Sequence, residues 1–196
     1  MLLERLRAGD EQAFVALLER LNGPLLRLAR SFVAPAVAEE VVQETWVAVV
    51  DGLAKFEARA SLKTWIFRIL VNRARTRGAR ESRSVPFSSM EGDASAEAHA
   101  PAVDAERFRP NGRWAQPPKD WRHSEKLLMD RETMQVLRTA LDALPPNQRA
   151  VVMLRDVEGL DSQETCNVLE IGETNQRVLL HRGRAKLRRV LEDHLA

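Results

Sequence analysis

An all-α architecture, two small helical domains joined by a largely irregular linker, is what this sequence predicts, and three observations carry the prediction. Apolar residues recur at helical spacing through residues 1–80, and again over residues 126–196. Between these stretches, ESRSVPFSSMEGDASAEAHAPAVDAERFRPNGRWAQPPKDW concentrates Pro, Gly, Ser and Ala, a composition that buries too little apolar surface to offset chain entropy. The length of 196 residues, 44% of them hydrophobic, suits one domain or two small ones.

In the first domain, residues 1–80, DEQAFVALLERL places Phe14, Leu17, Leu18 and Leu21 at helical spacing behind Asp10 as N-cap. Gly23-Pro24 is expected to interrupt the helix before LLRLARSFV. PAVAEEVVQETWVAVVDGL then sets Val37, Val41, Val42, Thr45, Trp46 and Val49 on one stripe, with Gly52 as its stop. Its polar face carries Glu39, Glu40, Glu44 and Asp51 with no basic residue between Ala36 and Ala54. Such a face suits a basic protein partner, or simply solvent. The next helix reverses the sign. In ASLKTWIFRILVNRARTRGAR, Ser61 is the N-cap and Leu62, Trp65, Ile66, Ile69 and Leu70 form the expected buried stripe. Around it lie Lys63, Arg68, Asn72, Arg73, Arg75, Arg77 and Arg80, an electrostatic footprint for phosphates.

The linker, residues 81–125, is acidic in its first part, with Glu91, Asp93, Glu97, Asp104 and Glu106, and should repel DNA there. Its distal part is different: Phe108, Trp114 and Trp121 are too apolar for a purely solvated tether and are expected to dock on a surface.

The second domain, residues 126–196, reads as a helix-turn-helix unit. KLLMDRETMQVLRTALDAL ends at Pro145-Pro146, PNQRAVVMLRDVEG stops at Gly159, and SQETCNVLE starts with Ser162 as N-cap. In the last helix Leu180, Gly183, Leu187 and Leu191 share one face, so Asn175, Val178, Arg182 and Arg189 point away from the core. Its first turn holds Thr174, Asn175, Gln176 and Arg177. Asn and Gln pair with adenine and Arg with guanine, and the first turn of a recognition helix is what reaches base edges.

Composition narrows the function. Net charge is only +2, so affinity for nucleic acid must come from segregated charge. One cysteine, Cys166, excludes an internal disulfide and a cysteine-rich zinc site, which suits a reducing cytoplasm. His99, His123, His181 and His194 show no HExxH or CxxC spacing and there is no glycine-rich phosphate loop, so no enzyme, metal or cofactor is expected. Neither a signal peptide nor a membrane span is expected, and the protein is expected to be cytoplasmic.

Three motifs in order, AEEVVQETW, then FEARASLKTWIFRILVNRAR, then LPPNQRAVVMLRDVEGLDSQETCNVLEIGETNQRVLLHRGRAKLR, resemble the signatures of bacterial RNA polymerase sigma factors of the extracytoplasmic function group, in the sigma-70 family. The resemblance covers most of both folded halves. It implies a second-domain helical bundle and a fourth-domain helix-turn-helix, with the linker threading the polymerase cleft in place of a third domain. It implies that Glu39, Glu40, Gln43 and Glu44 dock on core RNA polymerase. The melted minus-ten element would fall to Phe56, Lys63, Trp65, Arg68, Asn72, Arg73 and Arg75, with Phe56 and Trp65 serving equally well as core residues. The minus-thirty-five duplex would fall to Thr174, Asn175, Arg177, Val178, His181 and Arg182. The chain departs from the common pattern at Glu170, Val178 and Leu179, and Gly172 is expected to supply the positive φ of the turn. An anti-sigma factor is the implied regulatory partner. The alternatives are a helix-turn-helix regulator acting on duplex DNA without polymerase and, behind it, an interaction protein whose charged helices meet only other proteins.

Overall fold

The computed structural model describes residues 2–82 and 131–195, and no strand occurs among them. The helices are α1 (Leu2–Arg7), α2 (Glu11–Ala29), α3 (Pro35–Gly52), α4 (Leu62–Ser82), α5 (Arg131–Asp142), α6 (Pro146–Val152), α7 (Ser162–Leu169) and α8 (Glu173–His194). Residues 2–82 with Met153–Gln176 make one compact unit; residues 131–152 with 177–195 make a second. Apart from Glu81 and Ser82, which end α4, the expected linker with its acids, its aromatics, His99 and His123 lies outside the described residues.

In the first unit Asp10 caps α2, its carboxylate accepting from the Ala13 N–H and from Arg5. Helix α2 runs through Gly23-Pro24 without the expected interruption. An internal proline forfeits one backbone bond and crowds the preceding turn. Leu17, Leu21, Leu25 and Leu28 on either side of it are all buried, however, and at about 1.5–3 kcal/mol per buried leucine they outweigh that loss.

Proline at the start of α3 sits where a missing N–H costs nothing. Val41, Val42, Thr45, Trp46 and Val49 are buried as expected, joined by Ala38, while Val37 is only half-buried. Trp46 donates its indole N–H to Asn22 at 3.2 Å and meets the Phe14 ring edge-on. Gly52 ends α3 with an ordinary right-handed φ of −88°. What it supplies is space, because a Cβ there would lie 3.0 Å from the Trp65 ring. A 3-10 turn, Leu53–Lys55, follows, and Arg7 donates to the carbonyls of Leu53 and Phe56, tying α1 to it.

Ser61 caps α4 by accepting the Thr64 N–H at 3.0 Å. The buried stripe of α4 is turned from the expected one. Ile66 and Leu70 are buried with Thr64, Phe67, Val71 and Ala74, whereas Leu62, Trp65 and Ile69 are half-buried. Apolar residues occupy adjacent rows of this helix, so spacing alone fits either phase; full enclosure of Phe67 sets it. Gly78 completes the packing, since a Cβ would stand 2.6 Å from the Phe32 carbonyl oxygen.

The Met153–Gln176 segment opens with a π-helical turn, Met153–Val157, whose Met153 and Leu154 are buried. The N-cap of α7 is Asp161, one residue before the expected Ser162. Asp161 accepts the Glu164 N–H at 2.7 Å and donates its own N–H to the Glu164 carboxylate at 3.1 Å, a reciprocal capping box. Glu170 ends α7 at φ 53°, ψ 46°, so the left-handed residue is this glutamate and not Gly172. In the second unit Leu144, Ala150, Val151, Val152, Leu180 and Leu191 are buried, and a Cβ on Gly183 would lie 2.6 Å from a Val152 methyl.

Candidate polymerase and nucleic-acid interfaces

Glu39, Glu40, Gln43 and Glu44 are all exposed on α3. Val47 and Val50 continue their side of the helix at 63% and 56% exposure, large values for valine. The run VAVV looks like core in isolation; the signal is that Val47 and Val50 fall off the row of Val42, Thr45, Trp46 and Val49. The acidic and basic helices also adjoin. Arg73 pairs with Glu44 at 3.5 Å, and Arg77 with Glu40 at 2.7 Å and Glu44 at 3.9 Å. Pairs this exposed contribute about 0–1 kcal/mol, so a partner's charges can replace either member.

Among the minus-ten candidates, Phe56 is buried with its ring centroid 4.8 Å from that of Trp65. Trp65 itself is half-buried between Phe56 and the space left by Gly52. Arg68 and Asn72 are exposed; Lys63, Arg73 and Arg75 are half-buried, the Arg75 guanidinium lying 5.6 Å from the Phe32 ring centre. The loop before α4 is exposed at every residue from Glu57 to Ala60. Within it Ala58 takes φ 55° and the Arg59 side chain is 85% exposed beside Glu57. Arg59 was absent from the sequence-derived set, although it stands inside the FEARAS motif.

Three of the α4 side chains meet carboxylates from the Met153–Gln176 segment. Lys63 Nζ donates to the Glu158 carbonyl at 2.6 Å and pairs with its carboxylate at 3.2 Å. Thr64 Oγ1 donates to Glu164 at 2.7 Å, and Arg68 pairs with Glu170 at 3.3 Å. No local pattern announces these contacts, because the partners are about a hundred residues apart.

At the start of α8, Thr174, Asn175, Arg177, Val178 and His181 are exposed and Arg182 is half-buried. Gln176 is the exception in the TNQR run: it is 1% exposed and accepts at Oε1 from the Ser162 hydroxyl at 3.1 Å. A side chain so enclosed holds the turn and does not read bases. Cys166 is buried; burial pushes its thiol up, the Glu173 carboxylate adds to that, and Arg155 opposes it. A protonated, enclosed thiol is a packing residue. Among the described residues no cluster of His, Cys, Asp and Glu could hold a metal, and no helix is long and apolar enough to cross a membrane.

The Sigma-70 region 2 family matches residues 17–84 and the Sigma-70 region 4 family matches residues 134–187. The ECF RNA polymerase sigma-E factor of Escherichia coli K12 is 26% identical over 180 residues, spanning 91% of this chain and 87% of that protein. A probable RNA polymerase sigma factor of Haemophilus influenzae is 27% identical over 181 residues, 91% of this chain and 89% of its own length. The same fold occurs in the Bartonella quintana sigma factor RpoE, solved with the anti-sigma factor NepR, at TM-score 0.60 and 20% identity, covering 91% of this chain and 96% of that one. CnrH, solved with the cytosolic domain of CnrY, shows it at TM-score 0.56 and 23% identity over 98% of this chain and 96% of CnrH. Two regions of one family in their proper order, together with this likeness to ECF proteins along nearly the whole chain, make the protein a member of the sigma-70 family, an alternative sigma factor of the extracytoplasmic function group.

Proposed function

We propose a division of labour among the exposed faces, with residues 1–80 and 126–196 as the working domains and residues 81–125 as the tether between them. Glu39, Glu40, Gln43 and Glu44 of α3, extended by Val47 and Val50, dock on core RNA polymerase, combining charge with a small apolar contact. Lys63, Arg68, Asn72, Arg73 and Arg75, with the loop around Arg59, hold the melted minus-ten strand. Phosphate pairing tolerates splayed bases, and holding the strand favours the open state over the duplex. Phe56 supports Trp65 from beneath, leaving the partly exposed Trp65 ring as an aromatic surface for a base. Thr174, Asn175, Arg177, Val178, His181 and Arg182 meet the minus-thirty-five duplex, Val178 against a thymine methyl.

The observation that best supports this reading is the first turn of α8, where Thr174, Asn175 and Val178 are exposed while Gln176 is turned inward. The protein makes no bonds itself; it acts in the cytoplasm, and polymerase carries the chemistry. The solved complex of RpoE with the anti-sigma factor NepR supports an anti-sigma protein as its restraint.

The test is in vitro transcription on a pool of promoter fragments with core polymerase, with and without this protein, beside a gel shift lacking polymerase. Start sites that need both proteins are expected; tight sequence-specific binding by the protein alone, with no initiation, would move the reading to a duplex-binding regulator. On the promoters found, R73A/R75A is expected to impair strand opening by permanganate footprinting more than initial duplex binding. R177A or R182A is expected to weaken the upstream footprint.

A further inference from the structure

The start of α4 is occupied by the chain's own carboxylates. Glu164 receives the Thr64 hydroxyl at 2.7 Å and the Ser61 hydroxyl at 3.3 Å, Glu158 holds Lys63, and Glu170 holds Arg68. The contacts of Glu158 are of a different kind from the exposed Arg68–Glu170 pair, at 56% and 50%, and from the Arg59–Glu57 pair, at 85% and 64%. The Glu158 side chain is only 7% exposed and sits between two cations, Lys63 at 3.2 Å and Arg27 at 3.3 Å. A carboxylate so far removed from water is stable only while its cations stay in place. Thr64 is likewise buried, at 3% exposure.

The three acids also follow one another along the segment: Glu158 before α7, Glu164 in its first turn and Glu170 at its end. We infer that the Glu158–Glu170 segment is an internal stand-in for nucleic-acid phosphates, covering Ser61, Lys63, Thr64 and Arg68 in the free protein and giving way to the promoter strand. The inference rests on the minus-ten reading of Lys63 and Arg68, and its occupant is a segment of this chain. An ammonium or guanidinium that meets a carboxylate meets a phosphate by the same geometry, so cover and DNA exclude each other. The affinity of the free protein for a single strand is then its intrinsic affinity reduced by the open fraction. Promiscuous binding of the unescorted factor to exposed single strands is thereby suppressed without any partner.

Two measurements on the free full-length chain test this. The first is zero-length carbodiimide coupling, which joins an amine and a carboxylate only in direct contact. A Lys63–Glu158 linkage is expected by peptide mass spectrometry, and its absence overturns the cover. The second is binding of fluorescein-labelled random-sequence single-stranded DNA. E158Q/E164Q/E170Q is expected to bind about tenfold more tightly than the parent, while neutralising the exposed Glu11, Glu19 and Asp51 changes affinity much less. Equal tightening by both sets would reduce the effect to general repulsion and overturn the inference. Circular dichroism checks that each variant is folded, and the singly substituted E170Q, at an exposed pair, serves if the triple variant is not. If the linkage forms but K63A/R68A leaves binding by the triple variant unchanged, the minus-ten reading is what fails, and the contact is packing alone.

Discussion

Helices α4 and α8 are both long and both basic, yet they keep their functional side chains in different states. On α4, Lys63, Arg68, Arg73 and Arg77 face Glu158, Glu170, Glu44 and Glu40. At the start of α8 the outward groups include the uncharged Thr174, Asn175 and Val178, with Gln176 locked beneath them. On the reading proposed above, the first helix works by exchanging one anion for another, a salt-sensitive equilibrium. The second presents a preformed pattern of hydrogen-bonding and apolar groups, and on the same reading its discrimination depends on shape. The two helices also seat differently. Gly78 of α4 lies against a backbone carbonyl, whereas Gly183 of α8 lies against a methyl of the buried Val152.

The seating predicts the largest effects. G78A is expected to cost about 2–3 kcal/mol in urea unfolding and G183A about 1–2, both being small-to-large changes in packed contacts. Equal losses would erase the distinction between a backbone and a side-chain neighbour. Next comes the mode of recognition. N175A is expected to lower affinity for the upstream element about tenfold with little change in salt dependence. R68A is expected to flatten the salt dependence of strand binding, by about one unit of log–log slope or less. Similar salt signatures would break the contrast between exchange and shape.

Smaller still is E170G. Relief of the left-handed glutamate is worth about 1 kcal/mol, set against loss of an exposed ion pair worth less, so a slight rise in thermal midpoint is expected. The smallest effect is at Asp10, whose carboxyl is held below its ordinary value by Arg5 and the Ala13 N–H. A lowered folded pKa contributes stability that is present above the ordinary aspartate value and is lost as pH falls through the lowered one. D10N keeps a capping oxygen but loses the charge that Arg5 favours, so it is expected to lower neutral-pH stability slightly and to shallow that acid limb, parent and variant converging at low pH.

Local chemistry made much of this legible in the sequence. Asp10 and Ser61 cap where their neighbours' N–H groups require it, the α3 stripe is buried nearly as its spacing predicts, and the inward row of α8 follows Leu180, Gly183 and Leu191. What was not legible depends on groups distant in the chain. Pro24 is carried through α2 by leucines packed against other helices, and the phase of α4 is set by enclosure of Phe67. The displaced cap at Asp161 is a closer competition: Ser162 spends its hydroxyl on Gln176, leaving the aspartate to close the helix. For the candidate site, exposure of the acidic row on α3 followed from its composition. The carboxylates opposite Lys63, Thr64 and Arg68 did not, because nothing in a local window relates them.

The enclosure of Gln176 bears on how such a factor changes its targets over evolutionary time. A residue whose amide is sealed in the turn cannot vary without disturbing the fold, whereas Thr174, Asn175 and Val178 around it are exposed. On the proposed assignment, promoter preference can drift through those neighbours while the frame that aims them stays fixed. A combinatorial library confined to them would sample new regulons without sampling unfolded proteins.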